Sequence, residues 1–342
     1  MNIQYNIPLH SFTTLRTGGE AEYFCRIHNQ ISLVDACEFA EKKTLPLFIL
    51  GGGSNVLISD EGFFGLVIKI ELKGIEYFEK ENGSVEVVVG AGESWDDFVS
   101  DSVKQELYGI ENLSRIPGTV GATPIQNIGA YGAEVKDTIV WVEAYDIREK
   151  TFIKIKNNKC NFKYRDSFFK TKRGKDFIIT KVCFVLQKKG TLNTSYKDVQ
   201  NYFKNKSSEA ISLLEMRKAI VTIRKEKFPD LSVVGTVGSF FKNPIVSKQV
   251  VSELQCTYPE LPCFKASNGD VKVSLAWILD HILKWKGVRR GKVGTFSNQP
   301  LVIVNYGKEN ADEIKMFTNE IKKDVKKKIN IKIISEVTVI KN

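Results

Sequence analysis

Apolar residues recur at helical spacing in several stretches of the chain. Leu33, Val34, Cys37 and Ala40 follow Ser32, a residue type that caps helices, and Ser94 with Asp97 forms a second cap. A third helix is expected over residues 208–225, and a fourth over 274–284 with Leu275, Ile278, Leu279 and Ile282 inward. Ile314, Phe317, Ile321 and Val325 mark a last, amphipathic one. Short apolar runs at 46–50, 85–92 and 300–305 read as buried strands, and 331–340 alternates as a strand should. Short strands interspersed with helices predict an α+β chain with small sheets.

Glycine interrupts this pattern at three places. The strand at 46–50 runs straight into Gly51, Gly52, Gly53, Ser54 and Asn55, where consecutive small residues leave amide N–H groups exposed to an anion. Residues 116–132 hold four glycines and two prolines, too many breakers for a helix. Neither stretch has the dinucleotide G-x-G-x-x-G spacing or the P-loop spacing, so any nucleotide bound here sits in a different fold. Two such loops about sixty residues apart suit a flavin lying between two small α/β subdomains. A tight structural turn is the commoner reason for glycine, and that reading stands beside the ligand reading. The third interruption is Gly235-Thr236-Val237-Gly238-Ser239-Phe240-Phe241-Lys242-Asn243, in which the glycines leave room for a ligand and the aromatics hold a hydroxyl still. The alternative is a glycine turn leading into a Phe-Phe strand.

Two charged residues stand out. Arg165, between Tyr164 and Asp166, can clamp a carboxylate or simply pair at the surface. Glu336 lies within the alternating 331–340 run, on the side of Ile334 and Ile340. It is either a carboxylate among apolar neighbours, which is costly without a partner, or the solvent face of an edge strand.

Composition narrows the classes. A length of 342 residues, 42% hydrophobic and 26% charged, accommodates two or three ordinary globular domains. The chain opens without a basic and apolar leader and has no run of 18 apolar residues, so a soluble cytoplasmic protein without a membrane partner is expected. Six scattered cysteines and three dispersed histidines form no metal-binding or disulfide pattern, and no metal is expected. The net charge of +10 is compatible with nucleic acid, but much of the excess lies in ordinary surface places such as Lys326, Lys327 and Lys328 on one helix, with no aromatic-and-basic binding signature beside it. A positive field also gathers small anions such as nucleotides and carboxylates.

Taken in order, 51–57, 116–121, 127–132, Tyr164-Arg165-Asp166-Ser167 and 238–244, with Glu336, resemble the UDP-N-acetylenolpyruvoylglucosamine reductase family of peptidoglycan precursor synthesis. The resemblance covers nearly the whole chain and is closest to the longer form with a tyrosine loop. It implies a two-subdomain FAD-binding fold of the vanillyl-alcohol-oxidase/PCMH type plus a smaller α+β substrate domain. The expected divisions are 1–71, 72–228 completed by a C-terminal strand at 330–342, and 229–329. FAD would be held by Gly51, Gly52, Gly53, Ser54, Asn55, Pro117, Gly118, Thr119, Gly121, Ala122, Gln126, Asn127, Gly129, Ala130 and Tyr131. With no His or Cys beside either loop, the attachment is expected to be non-covalent.

The resemblance further implies NADPH as reductant and UDP-N-acetylglucosamine enolpyruvate as substrate, with a monomeric enzyme and no nucleic-acid partner. Arg165 would polarise the enolpyruvyl carboxylate, a protonated Glu336 would share that load, and Ser239 would donate the proton. Tyr164, Tyr196, Lys227, Asn243 and Gln299 would hold the sugar nucleotide. The chain departs from the family pattern at 287–297, where relatives often carry a His before the final strand and Ser297 or Asn298 stands here. A serine hydrolase built on Ser239 would need a base from His10, His28 or His281 and lacks G-x-S-x-G. A nucleic-acid binder rests on charge alone, and a non-catalytic flavin module leaves Arg165, Ser239 and Glu336 unexplained.

Overall fold

The computed structural model describes residues 1–266, 269–307 and 310–341. They form two compact units, one from Met1–Ile7, Ala21–Gly53 and Phe64–Lys225, the other from Pro8–Glu20, Ser54–Phe63 and Glu226–Asn342.

The first unit holds two sheets. One is four-stranded, in the order Gln4–Pro8, Glu20–Ile27, Phe63–Ile70, Leu47–Leu50, with the last two parallel and Leu47 opposite Leu66. The helix Gln30–Lys42 covers it through Leu33, Ala36, Cys37 and Ala40. Its cap is Asn29, whose Oδ1 accepts from Ser32 N at 2.8 Å, so Ser32 lies in the first turn rather than at the cap. The second sheet has five antiparallel strands in the order Thr151–Lys156, Ile139–Asp146, Phe177–Gln187, Ser84–Gly90, Ile75–Glu79. Ser94 caps the helix Trp95–Lys104 as expected. A single hydrophobic cluster runs from Cys25, Ile27 and Leu33 through Val87, Trp95 and Phe98 to Phe184, so residues 1–71 and 72–225 share one core.

The helix expected from Ser208 begins later. Ser208–Ala210 make only one tight turn, and the helix proper is Leu213–Lys227. Ser212 and Glu215 explain the start: Glu215 Oε2 accepts from Ser212 N at 2.9 Å while Ser212 Oγ accepts from Glu215 N at 3.3 Å, a reciprocal capping box.

The second unit has a four-stranded antiparallel sheet in the order Gly235–Ser239, Val302–Asn305, Val293–Thr295, Arg289–Arg290, and a small sheet of Ile245–Val246, Val271–Val273 and Cys263–Lys265. The long helix Ala311–Ile329 buries Ile314, Phe317, Ile321 and Val325 in their core. Asn310 caps it, Asp60 accepts from Ala311 N at 2.8 Å, and Asn330 ends it with φ +55°. The helix expected over 274–284 is shorter: Ser274 caps one turn, Leu275–Trp277, which widens into a π turn at Ile278–Ile282.

Among the described residues the C-terminal segment completes no sheet of the first unit, and its partners belong to the second. Lys242 N donates to Ile334 O at 3.0 Å and Glu336 N to Phe240 O at 2.8 Å. The segment then pairs Thr338–Ile340 in parallel with Val56–Ile58. Two short ladders in succession replace the one long strand that the alternation of 331–340 predicts. Among the described residues no helix is long and apolar enough to cross a membrane.

Candidate active site

In the first unit the two glycine-rich loops lie against each other. A Cβ added to Gly52 would stand 2.6 Å from Gly118 Cα, and one on Gly51 would stand 2.7 Å from Thr119 Oγ1. Gly121 is pressed equally hard on Ala91, whose Cβ a side chain would meet at 2.6 Å. Gly52 is therefore required by backbone contact, while Gly51 and Gly121 are hemmed in by the Thr119 and Ala91 side chains. Among the described residues the amides of Gly52 and Gly53 donate to no protein acceptor, although Gly53 is buried. Two adjacent unsatisfied N–H groups at a strand end, one of them buried, suit a diphosphate oxygen and are costly without one.

The second loop is tied to the turn that carries Arg165. Asn127, fully buried with φ +44°, donates from Nδ2 to Lys163 O and to Glu134 Oε2, both at 3.1 Å, and accepts from Lys136 N. Ser167 Oγ donates to Ile125 O at 2.6 Å. Lys163 and Asp166 exchange backbone hydrogen bonds of 2.9 and 3.2 Å, so Tyr164 and Arg165 are the two central residues of a tight turn. Arg165 occupies its second central position with φ +52°, a conformation that favours glycine or asparagine. Its guanidinium donates to Gly129 O and lies 5.5 Å from the Tyr164 ring centre. The left-handed backbone at Arg165 costs about 1–2 kcal/mol, which the surrounding turn and its bond to the glycine loop must hold in place.

Ala130 and Tyr131 continue that loop. Tyr131, 7% exposed and with φ +48°, meets Tyr196 edge to face at 5.3 Å, which brings two of the expected residues together from positions far apart in the chain. Burial pushes the Tyr131 phenol up to about 12, opposed by the neighbouring Arg224 guanidinium. Arg224 is itself buried, which draws its own affinity for the proton down, and its Nε donates to Arg115 O at 3.1 Å.

In the second unit Ser239 stands on a bulge. Thr236 pairs with Val304 and Ser239 with Val302, so the strand carries one residue too many between them. Thr236 Oγ1 accepts from Gly238 N at 3.1 Å and donates to Ile303 O at 2.7 Å, which fixes the bulge. Gly238 is needed for its φ of +72°, since a side chain there would meet only Phe228 at 3.8 Å. Gly235 is needed because a Cβ would stand 2.5 Å from Leu15 O. The glycines thus build the strand, whereas room for a ligand was the expectation. Phe240 and Phe241 are buried, and the half-buried Ser239 hydroxyl has no protein hydrogen-bond partner among the described residues.

Glu336 lies on the segment alongside. Its N–H donates to Phe240 O, its carbonyl accepts from Asn55 Nδ2 at 3.4 Å, and Asn55 O accepts from Thr338 N at 3.1 Å. Ile334, expected to bury Glu336 from its own side, is 63% exposed, so Glu336 is half-buried rather than enclosed by apolar side chains. Gln299 turns the chain into the strand Val302–Asn305, its carbonyl accepting from Val302 N at 3.0 Å. Asn298 Nδ2 donates to Glu226 O at 2.7 Å, beside the half-buried Lys227. Asn243 does structural work: its Oδ1 accepts from Leu275 N at 3.0 Å at the start of the short helix. His281 stacks on Trp277 with ring centres 4.7 Å apart and its Nδ1 faces Trp277 O, a setting that supplies no base to a serine nucleophile.

Three polar residues at these loops were not singled out in the sequence. Lys69 Nζ donates to Gly51 O, and burial lowers its affinity for the proton. Arg224 sits behind Tyr131, and Asn112 behind that loop. Each lies in an ordinary strand, helix or turn, and only the tertiary fold brings it to the glycine loops.

Residues 21–153 match the model of an FAD binding domain, and residues 229–340 match that of the UDP-N-acetylenolpyruvoylglucosamine reductase C-terminal domain. A UDP-N-acetylenolpyruvoylglucosamine reductase of Flavobacterium johnsoniae is 40% identical, over 99% of this chain and 100% of the relative. One from Chromobacterium violaceum is 35% identical, again over 99% and 100%. Among solved structures, a UDP-N-acetylenolpyruvylglucosamine reductase from Thermus caldophilus shares the fold with a TM-score of 0.69 at 22% identity, over 99% of each chain. With both halves matched and relatives similar from end to end, the chain belongs to the UDP-N-acetylenolpyruvoylglucosamine reductase family.

Proposed function

We infer that this flavoenzyme reduces the enolpyruvyl ether of UDP-N-acetylglucosamine enolpyruvate to UDP-N-acetylmuramate with NADPH as reductant, acting as a cytoplasmic monomer with neither nucleic acid nor membrane as partner. The observation that carries the reaction-level reading is the Ser239 hydroxyl, fixed on a bulge between buried groups and left without a base. Such a hydroxyl is suited to giving a proton, and unsuited to nucleophilic attack.

FAD, when bound, would supply the hydride-transfer chemistry that links NADPH to the vinyl methylene. The amides of Gly52 and Gly53 are the donors that fit its diphosphate. Ser54, Asn55, Pro117, Gly118, Thr119, Gly121, Ala122, Gln126, Asn127, Gly129, Ala130 and Tyr131 complete the residues assigned to it. Arg165 holds the substrate carboxylate, where negative charge grows as the methylene is reduced, and Glu336 shares that stabilisation as a hydrogen-bond donor. Ser239 then gives its proton to the adjacent carbon. Tyr164, Tyr196, Lys227, Asn243 and Gln299 orient the sugar nucleotide. Asn243 does so with its amide nitrogen, because its Oδ1 is engaged by Leu275 N.

The purified protein supplied with FAD should show flavin absorbance bands that bleach with NADPH and return on adding the enolpyruvyl sugar nucleotide. Bands that bleach but do not return would remove the substrate assignment, and absence of bands would remove the cofactor site. Lys69→Met tests the loop itself. Losing a charge-assisted hydrogen bond to Gly51 O should weaken FAD binding about tenfold, a loss on the order of 1.4 kcal/mol. Fluorescence titration of the flavin-free protein measures this, and an unchanged Kd would make Lys69 irrelevant to the loop.

A further inference from the structure

Asn112 is 1% exposed and lies in the short turn Glu111–Leu113, outside every motif that resembles the family. Its Nδ2 donates to Tyr131 O and to Asn193 O, both at 2.8 Å. Its Oδ1 is buried without a hydrogen-bond partner. Two carbonyls facing one side-chain amide admit only one orientation, with the NH2 group toward them. An unsatisfied buried acceptor costs about 1–3 kcal/mol. A site that only needed filling would be better served by an apolar residue, so the two donated bonds are what an asparagine contributes here.

Those bonds join two loops of different function. Tyr131 belongs to the loop assigned to FAD. Asn193 begins the turn into Tyr196: its Oδ1 accepts from Ser195 N at 3.1 Å, and its Nδ2 donates back to Gly132 O at 2.9 Å. Gly132 has φ +83°, and a Cβ there would meet Asn193 Nδ2 at 2.8 Å, so the Asn193 side chain lies directly against the backbone of the first stretch. Tyr131 and Tyr196 close the arrangement ring against ring.

We propose that Asn112 is a positioning residue for the reductase reaction: by bonding Tyr131 O and Asn193 O together, it sets the Tyr196 loop against the cofactor loop and so fixes the place of Tyr196 for the sugar nucleotide. The loop-fixing part stands on the hydrogen bonds alone, and the substrate part rests on the assignment of Tyr196 above.

The test uses the FAD-loaded full chain. Asn112→Asp keeps the shape and removes both donors. Asn112→Leu also removes both donors, without leaving a buried charge, and serves if the first variant does not fold. In each variant, amide hydrogen exchange over residues 190–203 should quicken at least about tenfold, because their opening no longer breaks the clasp. KM for the sugar nucleotide should rise about tenfold or more, while the rate of flavin reduction by NADPH stays within about threefold. Unchanged exchange over 190–203 overturns the proposal whatever the kinetics. Quickened exchange with an unchanged KM overturns the substrate part, and equal loss in both half-reactions shows a general structural role instead. Failure of wild-type protein to turn over the sugar nucleotide strikes the reaction assignment and leaves the exchange result to decide the clasp.

Discussion

Replacing Ser239 with Ala is expected to slow reoxidation of the reduced flavin by the sugar nucleotide about 10²-fold or more, while reduction by NADPH proceeds at nearly the wild-type rate. A positioned acid contributes about that much to a proton transfer, and the reductive half-reaction needs no proton from this hydroxyl. The fold should tolerate the change. The bulge is held by Thr236 Oγ1 and by the φ of Gly238, and the Ser239 hydroxyl itself has no protein partner among the described residues. Stopped-flow absorbance of the flavin separates the two half-reactions. If both slow equally, Ser239 shapes the cofactor site and the proton comes from elsewhere.

Arg165→Gly should separate activity from stability. Removing the cation that faces the developing carboxylate charge is expected to slow the oxidative half-reaction about 10²–10³-fold, the range seen when one preorganised electrostatic donor is lost. Two stability terms then oppose one another. Glycine relieves about 1–2 kcal/mol of left-handed backbone strain at φ +52°, and the lost hydrogen bond to Gly129 O costs about 1.5–3 kcal/mol. The net change is about 1 kcal/mol, so Tm should move by only a few degrees. A large fall in Tm would make the turn a structural support, and a small kinetic effect would take the carboxylate away from Arg165.

Much of the site could be read from the chain because its chemistry coincides with local backbone demands. Gly51 and Gly52 are glycine where they meet the loop at Gly118 and Thr119, and Gly121 where it meets Ala91, and such a requirement is visible as composition. Arg165 and Ser239 stand beside residues that form a turn or a bulge. A helix start is plain in the sequence where a single capping residue is available, as at Ser94, and ambiguous where two lie within about a turn of each other, with Asn29 prevailing over Ser32 and Ser212 over Ser208. The run 331–340 misled because alternation records which side chains are buried, not which strand lies alongside, and this segment changes partner between Glu336 and Thr338. Lys69, Arg224 and Asn112 carry no local mark at all. Lys69 reaches its partner 18 residues away, and Asn112 bonds residues 19 and 81 positions away.

The second unit is assembled from three stretches of chain, and this governs the order in which the protein can form during synthesis. Thr236 N donates to Thr14 O at 2.9 Å, and Thr14 Oγ1 donates to Thr236 O across 222 residues. Closing a loop of that length costs about 2 kcal/mol more than closing one of about twenty residues. Residues 8–20 and 54–63 must therefore wait on the ribosome until the last third of the chain has emerged, with Asp60 idle until Ala311 arrives to be capped. The first unit, by contrast, has all its residues by Lys225. A fragment starting at residue 229, where the C-terminal family match begins, would lack both the Thr14 hydrogen bonds to its first strand and the carboxylate at the head of its longest helix.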